Sequence, residues 1–411
     1  MATDFNSALH EYLALMGQSL VEIRGKDFDG VLSECLNQKE RLNEKYAQIF
    51  QTLKEALGRR PLVLYGLTSL ISGKILYVFM EHGLQVACLC DPQDVGGKFC
   101  GVPVIGPQTL KNDFADATVV VCFHTGAHDH DTGDVLAALG FQQHRIIPWE
   151  WVKTLVKLNL STFDPSKPFQ QHVNKYSWAY DLFEDEASKQ TALAWLRKNL
   201  LNTPMDMPSP CEKYFEDGYI SFGGREIFVD GGANEGESAI AFIKQIESAK
   251  GGYAHIYSFE PDSVHYALTV SNLSNYPNVT VVPKGMWTEE TELTFLEEGM
   301  AGMASSFVLN SINGVVVSNV PVTSLDIFFA GAPDSELPTF IKMDIEGAEK
   351  EALTGASDII RRVKPKLAIC AYHKTEDIYV LPQTILRIRD DYRFALRQHA
   401  PELHEIILYA V

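Results

Sequence analysis

Three short apolar runs in the carboxyl-terminal half of the chain each end on an acid. Glu226–Val229 runs into Asp230, His255–Phe259 into Glu260, and Phe340–Met343 into Asp344. Apolar positions then recur at helical spacing over Glu237–Ile246 and over Ser263–Leu273. That alternation predicts strand–turn–helix units in series, which build a parallel sheet. The three acids should share its carboxyl edge, where open α/β sheets bind their ligands. A fourth run, Lys366–Tyr372, delivers His373 to the same edge. Two last runs, Tyr392–Leu396 and Glu405–Val411, are joined by a loop with Pro401 and no helix, so as neighbours they must pair antiparallel.

The amino-terminal half shows the same grammar more weakly. Residues 1–57 read as a helical segment, with Leu9, Tyr12, Leu13 and Met16 at helical spacing. Leu62–Gly66, Val86–Asp91, Thr118–Phe123 and Arg145–Ile147 read as strands, with helices over Ile71–His82 and near Asp134–Leu139. A smaller Rossmann-like domain is therefore expected over 58–150. Its turn after Gly66 holds Leu67, Thr68, Ser69 and Leu70, so a structural or dimerising role is favoured over nucleotide binding, which leaves a homodimer open. Residues 151–210 read as a helical linker punctuated by prolines at 165–168 and 204–210, with the helical pair 179–200 covering one side of the following sheet. The remaining domain is 211–411. Cys122, His124, His128, Asp129, His130 and Asp131 crowd one strand end; they are zinc-binding types, but without a paired helical spacing the plainer reading is a polar loop.

The turn Asp230-Gly231-Gly232-Ala233-Asn234-Glu235-Gly236 carries most chemistry. Glycines between a strand and a helix N-terminus suit a nucleotide-type ligand. A dinucleotide would lay its pyrophosphate beside Asp230, which repels it, and Ala233 stands at the second glycine of that fingerprint. A cofactor with a cationic amino-acid end, such as S-adenosylmethionine, would be attracted instead. Glu260, before Pro261 and Asp262, is placed to accept hydrogen bonds from ribose hydroxyls. Glu346 and Glu349 lie one turn apart at a helix start, where capping alone would explain them; Asp344 and His373 beside them exceed what capping requires.

The run VDGGANEG, then FEP at Phe259–Pro261, TSLD at Thr323–Asp326 and IKMDIEGAE at Ile341–Glu349, resembles the FkbM family of methyltransferases. The likeness covers Tyr214 to Val411. It implies an α/β fold: a class I methyltransferase (Rossmann-like) sheet with an antiparallel C-terminal strand, preceded by the smaller Rossmann-like α/β domain. It also implies S-adenosylmethionine as cofactor, with Asp230, Gly232, Asn234, Gly236, Glu260 and Pro261 in the cofactor motifs and Asp344 and Glu346 as the signature acidic pair. Two positions depart from the family pattern. Gly231 replaces an aliphatic residue, and Cys370-Ala371 precede His373 where many members carry a glutamate.

Composition narrows the partners. A net charge of −18 argues against a nucleic-acid backbone, and no run approaches the ~20 apolar residues of a membrane span. Seven scattered cysteines fit reduced thiols. Met1–Asp4 lacks a basic or apolar start, so no secretory signal is expected and the location read is cytoplasmic. The expected reaction is methyl transfer to a hydroxyl of a carbohydrate, oligosaccharide or related small molecule. His373 would be the base, and Asp344 or Glu346 would orient it. A variant has these three hold a divalent cation. The alternatives are a nicotinamide-dependent oxidoreductase and a non-catalytic nucleotide- or sugar-binding protein.

Overall fold

The computed structural model describes residues 21–58, 60–66, 69–91, 96–122, 129–147, 166–201, 203, 205, 208–297, 306–307, 316–400 and 405–411. These divide into two compact units. The positions Leu9 to Met16, His124, His128 and most of the loops 299–306 and 313–317 lie outside the described residues.

The first unit centres on residues 33–166. Its strands are β1 (Leu62–Tyr65), β2 (Val86–Cys90), β3 (Lys98–Phe99), β4 (Val102–Ile105), β5 (Thr118–Val121) and β6 (Ile146–Ile147). They form one sheet in the order β3-β4-β2-β1-β5-β6. Every pair is parallel except β3 with β4. The four strands read from the sequence are present. β4 escaped that reading because Pro103, without an N–H, interrupts a short run.

The second unit contains residues 22–32, 167–199 and 203–411. Its main sheet uses β7 (Glu226–Gly231), β8 (Tyr253–Phe259), β9 (Val279–Val282), β14 (Phe340–Met343), β15 (Lys366–Cys370), β16 (Phe394–Ala400) and β17 (Glu405–Ala410). The order is β16-β17-β15-β14-β7-β8-β9. β14, β15, β7, β8 and β9 run parallel, whereas β17 pairs antiparallel with both β15 and β16. A mixed sheet with an antiparallel end matches the fold expected from the two terminal runs. β10 (Gly285–Met286), β11 (Thr291–Glu297), β12 (Ser306–Phe307) and β13 (Val316–Thr323) make a second, four-stranded sheet that the sequence reading did not contain.

Each residue of β7 is buried, as expected for a central strand covered on both faces. Phe228 stacks on Phe340, its register partner on β14, with centroids 5.0 Å apart, and on Phe242 at 4.5 Å. Phe242 lies on helix Glu237–Ser248, whose buried Ala239, Phe242, Ile243 and Ile246 follow the i, i+3, i+4, i+7 stripe. This core holds the strand ends in place beneath the site. Helix Glu186–Leu201, from the segment read as a linker, caps the sheet's edge: Leu396 N–H of β16 donates to Ser188 Oγ at 2.9 Å.

Candidate active site

β7, β8, β14 and β15 are parallel, so Asp230, Glu260, Asp344 and His373 stand at one edge. The turn after β7 is built for close approach. A Cβ on Gly232 would lie 1.9 Å from the Asp344 carbonyl oxygen, and its φ of +75° is left-handed; only glycine fits. Asn234 and Gly236 are also left-handed, at +51° and +91°. These reversals let the Asn234 N–H donate to Glu260 Oε2 at 2.8 Å. Asp262 N–H donates to the other Glu260 oxygen at 3.0 Å, and burial, against these two bonds, raises the Glu260 pKa. Asp262 itself caps helix Ser263–Leu273. Pro261 lies half-buried between the two acids.

Asp230 has a partner that the sequence reading missed. Lys342 Nζ sits 3.1 Å from Asp230 Oδ1, and the two side chains are 3% and 0% exposed. The ammonium also donates to the carbonyls of Gly231 at 3.1 Å and Gly232 at 2.7 Å. Ser238 donates to the second Asp230 oxygen at 2.6 Å. The Asp230 charge is thus balanced inside the protein and is not free to attract a cofactor cation, contrary to what the sequence alone implies. A lysine inside the apolar strand Phe340–Met343 was the available signal, since such a charge demands a buried partner.

Asp344 is the hub. It accepts from Tyr214 Oη at 2.6 Å and Tyr372 Oη at 3.0 Å, and Lys213 Nζ lies 3.4 Å away. Burial alone would raise its pKa, but Lys342, Lys213 and the Tyr214 bond win and hold it well below the usual carboxylate range. His373 Nε2 lies 3.6 Å from Asp344 Oδ1 and 3.5 Å from Glu346 Oε2. Among the described residues, that buried Nε2 has no hydrogen-bond partner. Glu349 Oε1 is 3.0 Å from Nδ1, off the N–H axis. Burial pushes the His373 pKa down, but Glu349, Asp344 and Glu346 more than offset this and lift it to about 8. Burial raises Glu346, which adopts a left-handed φ of +55° beside Gly347.

A cavity of about 230 Å³ opens on the other side of Asp344, lined by Gly232, Asn234, Tyr214, Lys213, Lys342 and Asp344, with Glu212, Glu237 and Ser238 at its wall; Glu260, Glu346 and His373 are not among its lining residues. Among the described residues, no group of three or more His, Cys, Asp and Glu is arranged to hold a metal ion. Asp344 and Glu346 contact His373 instead, so the divalent-cation variant gains no support.

Residues 230–396 match the profile of the methyltransferase FkbM domain. The second unit therefore carries an FkbM methyltransferase domain. No curated protein matches the chain. A crystal structure of methyltransferase FkbM from Methylobacillus flagellatus KT is similar at 23% identity and TM-score 0.56, covering 93% of this chain and 99% of that one. Fibrillarin from Aeropyrum pernix, solved with natively bound S-adenosyl-L-methionine, is similar over 46% of this chain and 67% of its own, at 11% identity and TM-score 0.30. The FkbM match selects methyl transfer over the nicotinamide alternative. Among the described residues no helix is long and apolar enough to cross a membrane.

Proposed function

We propose that the FkbM domain takes a methyl group from S-adenosylmethionine and places it on a hydroxyl oxygen of a carbohydrate or related small molecule. The observation that carries this reading is the unpartnered, buried Nε2 of His373 between Asp344 and Glu346 at the sheet edge.

The residues fit the cofactor. Glu260 spends one lone pair on each oxygen on backbone N–H groups, leaving two to accept from a ribose diol. Glu212 and Glu237 line the cavity without an ion-pair partner among the described residues, and their charge suits a cationic amine and sulfonium. With Asp230 balanced by Lys342, those two acids, rather than Asp230, supply the attraction for the cationic end of the cofactor. The turn Gly232–Gly236 would seat the cofactor, which supplies an electrophilic methyl group when bound.

The chain's own work is positioning and proton removal. An alcohol hydroxyl is a weak nucleophile, so its proton must leave as the carbon–oxygen bond forms. His373 Nε2 receives it when the ring is neutral. Asp344, kept ionised, then stabilises the imidazolium, and Tyr214 and Tyr372 hold Asp344 in place. The polar wall of Lys213, Tyr214 and Ser238 offers donors and acceptors suited to a hydroxyl-rich acceptor. Calorimetry with S-adenosylhomocysteine, followed by methyl-transfer assays over a panel of sugars, tests the proposal. Absence of binding at millimolar ligand would remove it.

A further inference from the structure

Glu349 does more than begin a helix. Its carboxylate is 1% exposed. One oxygen, Oε1, accepts from the Ile345 N–H at 3.0 Å and the Gly347 N–H at 3.4 Å, and lies 3.0 Å from His373 Nδ1. The two amides flank Glu346, whose left-handed backbone runs against its side chain's preference by about 1–2 kcal/mol. The other oxygen, Oε2, is buried without a partner among the described residues. From the far side, Lys374 Nζ donates to the Gly347 carbonyl, and Asp377 accepts from the Lys374 N–H at 2.8 Å. A single carboxylate thus touches both the strained turn and the histidine.

We propose that Glu349 is the positioning residue of this site, holding the Glu346 turn with backbone bonds while keeping the neutral His373 proton on Nδ1. The proposal rests on the reading of His373 as the base. Free histidine in water favours the proton on Nε2, which would leave no lone pair facing Asp344 and Glu346. An acceptor at Nδ1 reverses that preference, because the hydrogen bond at one ring nitrogen decides the form at the other. The off-axis Nδ1 contact is of the kind that tightens once a ligand fills a site. Glu349 stays behind the ring and touches no substrate.

The experiment is ¹⁵N NMR of histidine-labelled protein at alkaline pH, with His373 assigned by a His373→Gln sample. The wild-type ring is expected in the Nδ1–H form. Glu349→Met should return it to the Nε2–H form, and Glu349→Gln, which keeps an acceptor oxygen, should restore Nδ1–H. S-adenosylhomocysteine affinity should stay within about twofold in both variants. A wild-type ring protonated on Nε2 overturns the inference, and so does an unchanged tautomer in Glu349→Met. Should that variant not fold, the wild-type spectrum and Glu349→Gln still decide. A wild-type protein that fails to bind S-adenosylhomocysteine yet shows the Nδ1–H form would strike the cofactor reading and leave Glu349 in its role.

Discussion

Lys342 and Asp230 face one another across β14 and β7 in register, with Nζ 3.1 Å from Oδ1 and both side chains sealed from solvent. Burial would lower the lysine pKa, but Asp230 and Asp344 outweigh it and raise the value. The pair ties the glycine turn to the strand that bears Asp344.

Removing one partner leaves a buried charge uncompensated, which typically destabilises by about 3–5 kcal/mol. Lys342→Met and Asp230→Ala should each lower the denaturation midpoint strongly, with the double variant less affected than the sum. The Asp230 change should also weaken S-adenosylhomocysteine binding, through release of the Lys342 contacts to the Gly231 and Gly232 carbonyls that hold the turn rather than through a lost direct contact. Additive effects in a double-mutant cycle would show that the two do not act as a pair.

Gly232→Ala should disable the turn. Its new Cβ meets the Asp344 carbonyl oxygen at 1.9 Å, so the backbone must move. Gly331→Ala is the control: φ is +82°, with open space around it, so only left-handed strain of about 1–2 kcal/mol is expected. Calorimetry with S-adenosylhomocysteine should show at least a tenfold loss for the first and little for the second.

Glu260→Gln should weaken both the fold and the cofactor. One of its oxygens becomes a donor facing the N–H of Asn234 or of Asp262, a mispairing that costs about 1–3 kcal/mol of stability with or without ligand. The same exchange removes one acceptor from the ribose diol, and a loss of about 1–3 kcal/mol there corresponds to roughly a 5- to 150-fold rise in Kd. Unchanged affinity would place the ribose elsewhere.

Methyl transfer should rise with pH through about 8, the value to which His373 is lifted, because only the neutral ring accepts a proton. His373→Gln should remove that inflection and slow turnover by roughly 10²–10⁴-fold. Stability runs the other way. A raised folded pKa means that the His373 contribution is complete below 6.5 and lost as pH climbs through about 8. Asp377, raised from 3.8 to about 7 by burial and by Glu349, acts in the same sense across that lower window. The stability difference between wild type and His373→Gln should therefore shrink from pH 6.5 to 9, and that between wild type and Asp377→Asn from pH 4 to 7. A difference that grows over its window would contradict the assignment of that residue.

The apolar runs and their terminal acids were enough to read the sheet's central strands, the antiparallel end and the shared edge of Asp230, Glu260, Asp344 and His373. Those features follow from local periodicity and from where a strand stops, and both are written in neighbouring residues. The four-stranded sheet was not legible, because β10 and β12 are two residues long and β13 carries Pro321. Nor could the chain alone say which charges cancel. Lys342 and Asp230 are 112 positions apart, and only the register of β7 against β14 makes them partners. Likewise the 3.0 Å approach of Glu349 to His373 depends on two separate strand-to-helix turns meeting in space. Sequence thus determined which chemical groups reach the edge, and the tertiary structure decided their protonation and pairing. Electrostatic energy depends on through-space distance and burial, which linear order does not encode.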